Sequence, residues 1–442
     1  MLRRLKEQIK GKKVLILGFG REGRSTLRRI LEVGGYRALA IADQRAADPE
    51  AEIPFLSGAH YMDTLDDYDL VFKSPGIVLP EDPSSYRCRV TSQMELFLEE
   101  YGARTIGVTG TKGKSTTTTL LYHILQEAGR DVVLAGNIGI PAFDILEKIG
   151  PETVPVCEFS CHQLEYIHVS PHIAILLNIH EEHLDHYGSF ERYAASKHQI
   201  YLHQKAGDLL FCGADVLPEN GTCQADIFSV SDHDDNAAVR LDGTQISFAG
   251  RSYQIPTEGF HMLGHHNHLD VAFAYAICCV MGLSNEEFDR SLRSYEPLPH
   301  RLRFIGERDG VRYYDDSIST IGDTAIQALK SVPSVGTILI GGMDRGIDYD
   351  DLIEFLANHP VPHIILMYAT GRRILDEIRE QYPDFPGQER LLYAETLTEA
   401  VAQARALTRP GEACVLSPAA ASYGIFKNFE ERGDVFRELV FS

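Results

Sequence analysis

The sequence predicts an α/β protein made of three consecutive domains, and three observations carry that expectation. The chain has 442 residues, and at roughly 150 residues per domain that length suggests about three. Short apolar runs alternate with helical stretches from end to end, which is the grammar of βαβ units with parallel strands. Two of those runs lead into glycine-rich loops that open helices, Gly18–Gly23 and Gly110–Thr116, an arrangement suited to phosphate groups.

The elements follow in order. KVLILG (13–18) reads as a buried strand, RSTLRRILEVG (24–34) as a helix ending at glycine, ALAIAD (38–43) as a second strand and LVFKSPG (70–76) as a third that ends in a turn. A second unit starts near TIGVTG (105–110), a strand followed by the helix STTTTLLYHILQEAG (115–129). Further strands are expected at VPVCEF (154–159) and IAILLNI (173–179), and a buried helix at HNHLDVAFAYAICCVMGL (266–283). PLPHRLR (297–303) reads as a linker into a third unit with strands VRYYDD (311–316), TILIGG (337–342), HIILMYA (363–369) and EACVLSP (412–418). The expected domains are therefore 1–95, 96–297 and 298–442.

Composition narrows the function. A formal net charge of -21 argues against a nucleic-acid binder, which shows a basic face, yet a local cluster of cations and backbone N–H can still hold small anions. The start, MLRRLKEQIKGKK, has no apolar h-region, so no signal peptide is expected. VLILGF is too short to cross a bilayer, so no membrane insertion is expected. Eight cysteines scattered along the chain fit reduced thiols in a cytoplasm better than a disulfide framework.

The strongest motif is Gly110-Thr111-Lys112-Gly113-Lys114-Ser115-Thr116, between a strand and a helix. Such a loop points backbone N–H groups at a phosphate, Lys114 can reach the β/γ-phosphates, and the Ser115 hydroxyl can ligate Mg²⁺. It is shorter than a full Walker A, because Val108 stands where the first glycine would be. The bland alternative is a glycine-rich turn with a surface lysine; the flanking strand and helix favour nucleotide binding.

The loop TGTKGKST resembles that of the Mur ligases and folylpolyglutamate synthases, and further segments extend the resemblance. Glu158-Phe159-Ser160-Cys161-His162-Gln163-Leu164 is similar to their E-x-S-S-x-Q-L, and the segment Asn178 to Asp185 to their N-x-x-x-D-H-x-D. Ser196-Lys197, His266-Asn267, Pro299-His300-Arg301 and Asp316-Ser317 complete the order. The resemblance implies a Rossmann-like N-terminal domain, a P-loop-type central ATPase domain and a Rossmann-like C-terminal domain. It implies ATP bound by residues 110–116 with Asn267, Arg301 and Asp316, the last two reaching it on domain closure. It implies two Mg²⁺ ions held by Ser115, Glu158, His183 and a carbamylated Lys197, with Lys114, His183, Lys197 and Arg301 catalytic. Read without the family, Lys197 is an ordinary solvated helix lysine, and His180, His183 and His186 form an H-x-x-H-x-x-H cluster that suggests zinc, with i and i+3 sharing a face on a helix. A phosphate site in the same domain calls instead for Mg²⁺ and its oxygen ligands.

Gly18-Phe19-Gly20-Arg21-Glu22-Gly23 is G-x-G-x-x-G after a strand, with Asp43 twenty residues past Gly23. Alone it would indicate NAD. In context it resembles the uridine-binding domain of the Mur ligases, which folylpolyglutamate synthases lack. The resemblance places a UDP-sugar on Gly18, Gly20, Asp43, Ser74, Gly76, Asn137 and Ser160. The segments Ser417–Ser422 and Phe426–Gly433 resemble the glutamate-adding members. They imply that Ser422 and the Phe429 backbone hold one glutamate carboxylate, and Thr320 and Arg345 the other. The substrates implied are UDP-N-acetylmuramoyl-L-alanine, glutamate and ATP, with D-glutamate ahead of L-glutamate, in a cytoplasmic monomer. Ile318 and Ile321 replace a lysine and an asparagine of the family pattern, Arg345 a lysine, and Asp270 the second asparagine of H-N-x-x-N. Rival readings are another three-domain Mur ligase, a non-catalytic nucleotide-binding protein and an NAD oxidoreductase.

Overall fold

The computed structural model describes residues 2–45 and 53–442, the side chain of Asp185 excepted. The chain divides into two units, Met1–Phe260 with His268–Tyr295 and His261–Asn267 with Glu296–Ser442.

The first unit contains two sheets. One has β1 (Lys13–Leu17), β2 (Ala38–Asp43), β3 (Phe55–Ser57), β4 (Leu70–Lys73) and β5 (Arg89–Thr91), all parallel in the order β3-β2-β1-β4-β5. Its central strands read as unbroken apolar runs because a parallel sheet is covered on both faces; Val14, Leu15, Ile16 and Leu17 are wholly buried. The strand order reverses beside β1, and the crevice at the carboxyl ends of such strands is where ligands bind.

The second sheet has β6 (Ile106–Thr109), β7 (Val132–Gly136), β8 (Val154–Glu158), β9 (Ile173–Leu176), β10 (Leu209–Gly213), β11 (Asp226–Ser231), β12 (Val239–Asp242), β13 (Gln245–Phe248) and β14 (Arg251–Gln254). Their order is β14-β13-β12-β11-β10-β9-β6-β8-β7. The strands are parallel up to β12, and the last three form an antiparallel meander. One apolar cluster runs from Leu5 and Val14 under the first sheet to Cys157, Leu176 and Leu210 under the second. The expected buried helix is present as His265–Val280, with Val271–Cys278 buried.

The second unit holds β15 (Arg303–Arg308), β16 (Val311–Asp315), β17 (Val335–Gly341), β18 (His363–Met367), β19 (Leu391–Ala394) and β20 (Ala413–Leu416), in the order β15-β16-β20-β17-β18-β19. All pairs are parallel except the β15–β16 hairpin. The mixed α/β architecture with three sheets agrees with the fold class read from the sequence. Among the described residues no helix is long and apolar enough to cross a membrane.

Candidate active site

The phosphate loop leaves the end of β6 and turns into the helix Lys114–Glu127. Gly113 sits at φ +82°, and a Cβ there would lie 2.6 Å from Asp270 Oδ1, so both the turn and the space demand glycine. The Asn178 amide oxygen accepts from Thr111 N at 3.2 Å and Lys112 N at 2.9 Å. Lys114 arches back, its Nζ donating to Gly110 O at 3.0 Å and Thr111 O at 2.9 Å. Asp270, the departure from the family's asparagine, accepts from Thr117 Oγ1 at 3.0 Å and braces the base of the loop.

Adjacent strands bring the other polar groups of this sheet to the same edge. Glu158 closes β8 and is 1% exposed. Its Oε1 accepts from Asn137 Nδ2 at 2.6 Å, while its buried Oε2 has no partner among the described residues. Lys197, also 1% exposed, donates to Gly110 O at 2.7 Å. Burial, reinforced by the Lys114 ammonium, lowers its pKa to about 7. The ring of Tyr193 lies beneath Lys197 Nζ at 4.7 Å, 6.1 Å from the His183 ring, and its hydroxyl bonds Thr111 Oγ1 at 2.9 Å. Tyr193 thus ties the phosphate loop to the residues around Lys197.

The histidine segment does not have the geometry that a helical H-x-x-H-x-x-H would need. Only Leu184–Tyr187 is helical, and His183 precedes it at φ +56°. The backbone reversal at His183 breaks the i, i+3 alignment. His186 turns towards Glu165 at 3.4 Å, and His162 packs on both His183 and His186, at 5.0 and 4.4 Å between rings. Burial, with those two neighbours, lowers the His162 pKa to about 4. Among the described residues no three His, Cys, Asp or Glu side chains converge as a metal centre.

In the first sheet, Gly18, Gly20, Asp43, Ser74 and Gly76 line one open cleft of about 620 Å³. Asp43 Oδ2 accepts from Phe19 N at 2.7 Å, and Ser74 Oγ donates to Gly18 O at 2.8 Å. Asn137 and Ser160 lie on the neighbouring sheet instead: Asn137 holds Glu158, and Ser160 caps the short helix Cys161–Leu164 in a capping box with Gln163.

The second unit gathers its residues on loops at the ends of β16, β17 and β20. Arg345 donates to Thr320 O at 3.0 Å, and Met343 N bonds Ala421 O at 2.8 Å, beside the buried Ser422. Ser317 Oγ donates to Phe429 O at 2.8 Å, where the helix Phe429–Phe441 begins. Asp316 accepts from Ser417 Oγ at 2.7 Å and Leu302 N at 3.1 Å, and its burial raises the carboxyl pKa to about 7. Asn267 donates to Leu263 O, and Arg301 lies close enough to Asp316 to oppose that rise.

Residues 108–278 match the Mur ligase middle domain. A UDP-N-acetylmuramoylalanine–D-glutamate ligase of Pelotomaculum thermopropionicum is 34% identical over 452 residues, covering 98% of each chain. This chain belongs to the Mur ligase family. A ligase of the same name from Geobacillus kaustophilus is 32% identical over 97% of each chain. Among solved structures, a MurF ligase from Thermotoga maritima in complex with ADP aligns with a TM-score of 0.60 at 17% identity, covering 99% of this chain and 96% of that one. A MurC ligase from the same organism gives 0.58, also at 17% identity, covering 97% and 98%. These likenesses show the fold.

Two observations bear on whether this Mur ligase can hold a divalent cation. Glu158 Oε2 is a buried carboxyl oxygen with no hydrogen-bond partner among the described residues, which suits the hard oxygen preference of Mg²⁺. The Ser115 hydroxyl, on the first turn of the helix after the phosphate loop, is of the same donor class. Lys197 as an ammonium is no ligand, so the set fits the ion better with that nitrogen converted to an oxygen donor.

Three contributors carried no role in the sequence reading. Tyr193 stands four residues before Lys197 on the helix Phe190–Leu202, and that one-face spacing is the signal that could have found it. Asn178 was visible only as a motif position. Arg432 is wholly buried and donates to Ser317 Oγ at 3.0 Å, Ser317 O at 2.6 Å and Ala420 O at 3.0 Å. It pins the loops that carry Thr320, Ser422 and Phe429; a lone arginine on a charged helix gives no sequence signal for burial.

Proposed function

We propose that this Mur ligase joins D-glutamate to UDP-N-acetylmuramoyl-L-alanine, converting ATP to ADP and phosphate, in the cytoplasm. The observation that carries the reading is the end-to-end likeness to proteins named UDP-N-acetylmuramoylalanine–D-glutamate ligase. The site geometry supports it with three separate clusters, one for each substrate. We further read the two sheets of the first unit as separate domains, 1–95 and 96–297, ahead of a third at 298–442.

A carboxylate is a poor electrophile, and phosphorylation gives it a good leaving group. The terminal phosphoryl group of ATP passes to the alanine carboxylate of the UDP-sugar. The glutamate amine then attacks the acyl phosphate, and the tetrahedral adduct collapses to amide and phosphate. Such transfer is catalysed mainly by positioning and charge neutralisation. The phosphate loop supplies N–H donors, and Lys114 swings its ammonium from Gly110 O and Thr111 O to the transferring phosphoryl group. Magnesium, when bound, supplies positive charge that stabilises the phosphoryl oxygens. Ser115, Glu158, His183 and Lys197 are the residues that would hold two such ions.

Lys197 serves that role as a carbamate. At a pKa of about 7 the amine is substantially neutral at physiological pH. Its lone pair forms an N–C bond to carbon dioxide, one N–H proton leaves to solvent, and the product is an anionic oxygen donor. Asp316, Asn267 and Arg301 serve ATP from the second unit. Ser422 and the Phe429 backbone take one glutamate carboxylate, and Thr320 and Arg345 the other. The UDP-sugar lies on the cleft residues Gly18, Gly20, Asp43, Ser74 and Gly76, with Asn137 and Ser160 reached from the neighbouring sheet.

One observation favours a second reading for the stereochemistry. Ile318 and Ile321, half-buried beside Thr320, replace polar residues of the family pattern where the two enantiomers must be told apart, and this is compatible with L-glutamate. Turnover with D-glutamate, L-glutamate, L-lysine and meso-diaminopimelate in parallel tests both. Preference for D-glutamate is expected; preference for either diamino acid contradicts the assignment, and preference for L-glutamate selects the second reading.

A further inference from the structure

The cleft in the first sheet contains a cation that neither the fold nor the phosphate loop accounts for. Arg21 is the first residue of the helix Arg21–Val33, and Gly20 before it gives that helix no side-chain cap. The guanidinium lines the cleft, and its Nη1 donates to Gly139 O at 3.0 Å. Gly139 belongs to the Gly136-Asn137-Ile138-Gly139 turn that follows β7 in the neighbouring sheet. A Cβ at Gly139 would fall 2.6 Å from Arg21 Nη1, so glycine there leaves the space that the guanidinium occupies.

The charged groups around the cleft are unequally engaged. Glu22 is turned inward, accepting from Gln163 Nε2 at 2.5 Å, and the buried Lys73 offsets its charge. The Asp43 carboxylate is taken by Phe19 N and Arg45 N. Arg24 lies over the Phe19 ring at 4.5 Å. Among the described residues, Arg21 and Arg45 remain as the cations lining the opening. Only Arg21 is held from across the two sheets, and one hydrogen bond to a carbonyl leaves most of the five donors of a guanidinium for other acceptors.

We infer that Arg21 is a specificity-determining residue that grips the diphosphate of the sugar nucleotide and ties it to the Gly136–Gly139 turn. The assignment rests on the UDP-sugar reading above and deepens it. A diphosphate suits the planar fork of arginine, and the uncapped N–H groups of the helix Arg21–Val33 add to the same field. Because the guanidinium is anchored on the neighbouring sheet, a nucleotide that carries both phosphates engages both sheets of the first unit, whereas the nucleoside engages the first sheet alone.

The test uses the full chain and UDP as the probe, by isothermal titration at low and at physiological salt, with Arg21→Ala, Arg21→Gln and Arg21→Lys. Arg21→Ala and Arg21→Gln should weaken UDP at least tenfold and flatten its salt dependence, while Arg21→Lys recovers part of the loss and the KM for ATP stays as in the parent. Gln retains a donor for Gly139 O and lacks the charge, so parent-like binding by Arg21→Gln would show that only the inter-sheet contact matters and would overturn the assignment. Equal UDP affinity in the parent and Arg21→Ala would overturn it as well, leaving the sugar-nucleotide reading intact. Failure of the parent chain to bind UDP would overturn both.

Discussion

Asp316 offers a prediction whose size follows from its surroundings. The carboxyl is 8% exposed and its pKa is raised to about 7, chiefly because burial disfavours the charge, with Asp315 adding repulsion. The unfolded chain titrates it at the ordinary 3.8. Between those two values the folded state binds the proton more tightly, so stability is full below the lower value, falls through the interval and is lowest above pH 7. Three units at about 1.4 kcal/mol each give a ceiling of roughly 4 kcal/mol, and local relaxation brings the expected effect to about 2–4 kcal/mol. Asp316→Asn removes the titration and keeps the shape, since the Ser417 hydroxyl can reverse its hydrogen bond.

The assay is hydrogen exchange on peptides covering β16 and β20, with variant and parent compared at each pH so that intrinsic exchange rates cancel. At pH 5, only a little above the unfolded value, the variant should be better protected by roughly a third of the full effect. At pH 8 the variant should be better protected by about 30-fold or more in the opening equilibrium, the factor for 2 kcal/mol. A difference of the same size at both pH values would contradict the raised pKa, because it would mean that Asp316 is already ionised at pH 5. ATP turnover by the variant should fall, as expected of a group whose burial serves the nucleotide rather than the fold.

Lys114→Ala should lower turnover by roughly 10²–10³-fold, with UDP-sugar affinity within a few-fold of the parent by titration, since the loop and the cleft lie on different sheets; parallel loss of both would contradict the division. Lys197→Ala should be nearly inactive and partly restored by acetate or formate, whose oxygens stand in for a carbamate; activity measured across a series of acids checks it, and a fully active variant sinks the carbamate. Arg345→Ala should raise the KM for glutamate by roughly 10–100-fold, the worth of one charge-assisted bond, while the KM values for ATP and UDP-sugar barely move; steady-state kinetics with each substrate varied in turn decides it.

The parallel strands β1, β2, β4, β6, β8, β9, β16, β17, β18 and β20 were readable because burial on both faces leaves continuous apolar runs, as at VLIL in β1 and TILIGG in β17, whereas the parallel strands β3, β5, β7, β10, β11 and β19 were not read from the sequence. The meander β12–β14 was missed because it is short and half exposed. QISF in β13 alternates exposed and buried positions, and the Asp242-Gly243 pair before it is the hairpin signal that marks it. The glycine loops were legible for a related reason, since positive φ at Gly113 and close approach at Gly18 leave little choice of residue. Long-range geometry was not legible. Nothing in the spacing of His180, His183 and His186 announces the positive φ at His183 that breaks their alignment. Arg432 lies buried in a segment rich in charge, and the pairing of Asn137 with Glu158 joins residues 21 apart in sequence through neighbouring strands.

Glutamate ligation to the sugar nucleotide is decided by ADP release from the purified chain in an omission series: all three substrates, then each left out in turn, with the product weighed by mass spectrometry. ADP is expected in one-to-one ratio with a UDP-N-acetylmuramoyl-alanyl-glutamate product when ATP, UDP-N-acetylmuramoyl-L-alanine and D-glutamate are all present, and little of either when any one is missing. ADP release that ignores the sugar nucleotide and the amino acid, or a product without an added glutamate, would contradict it.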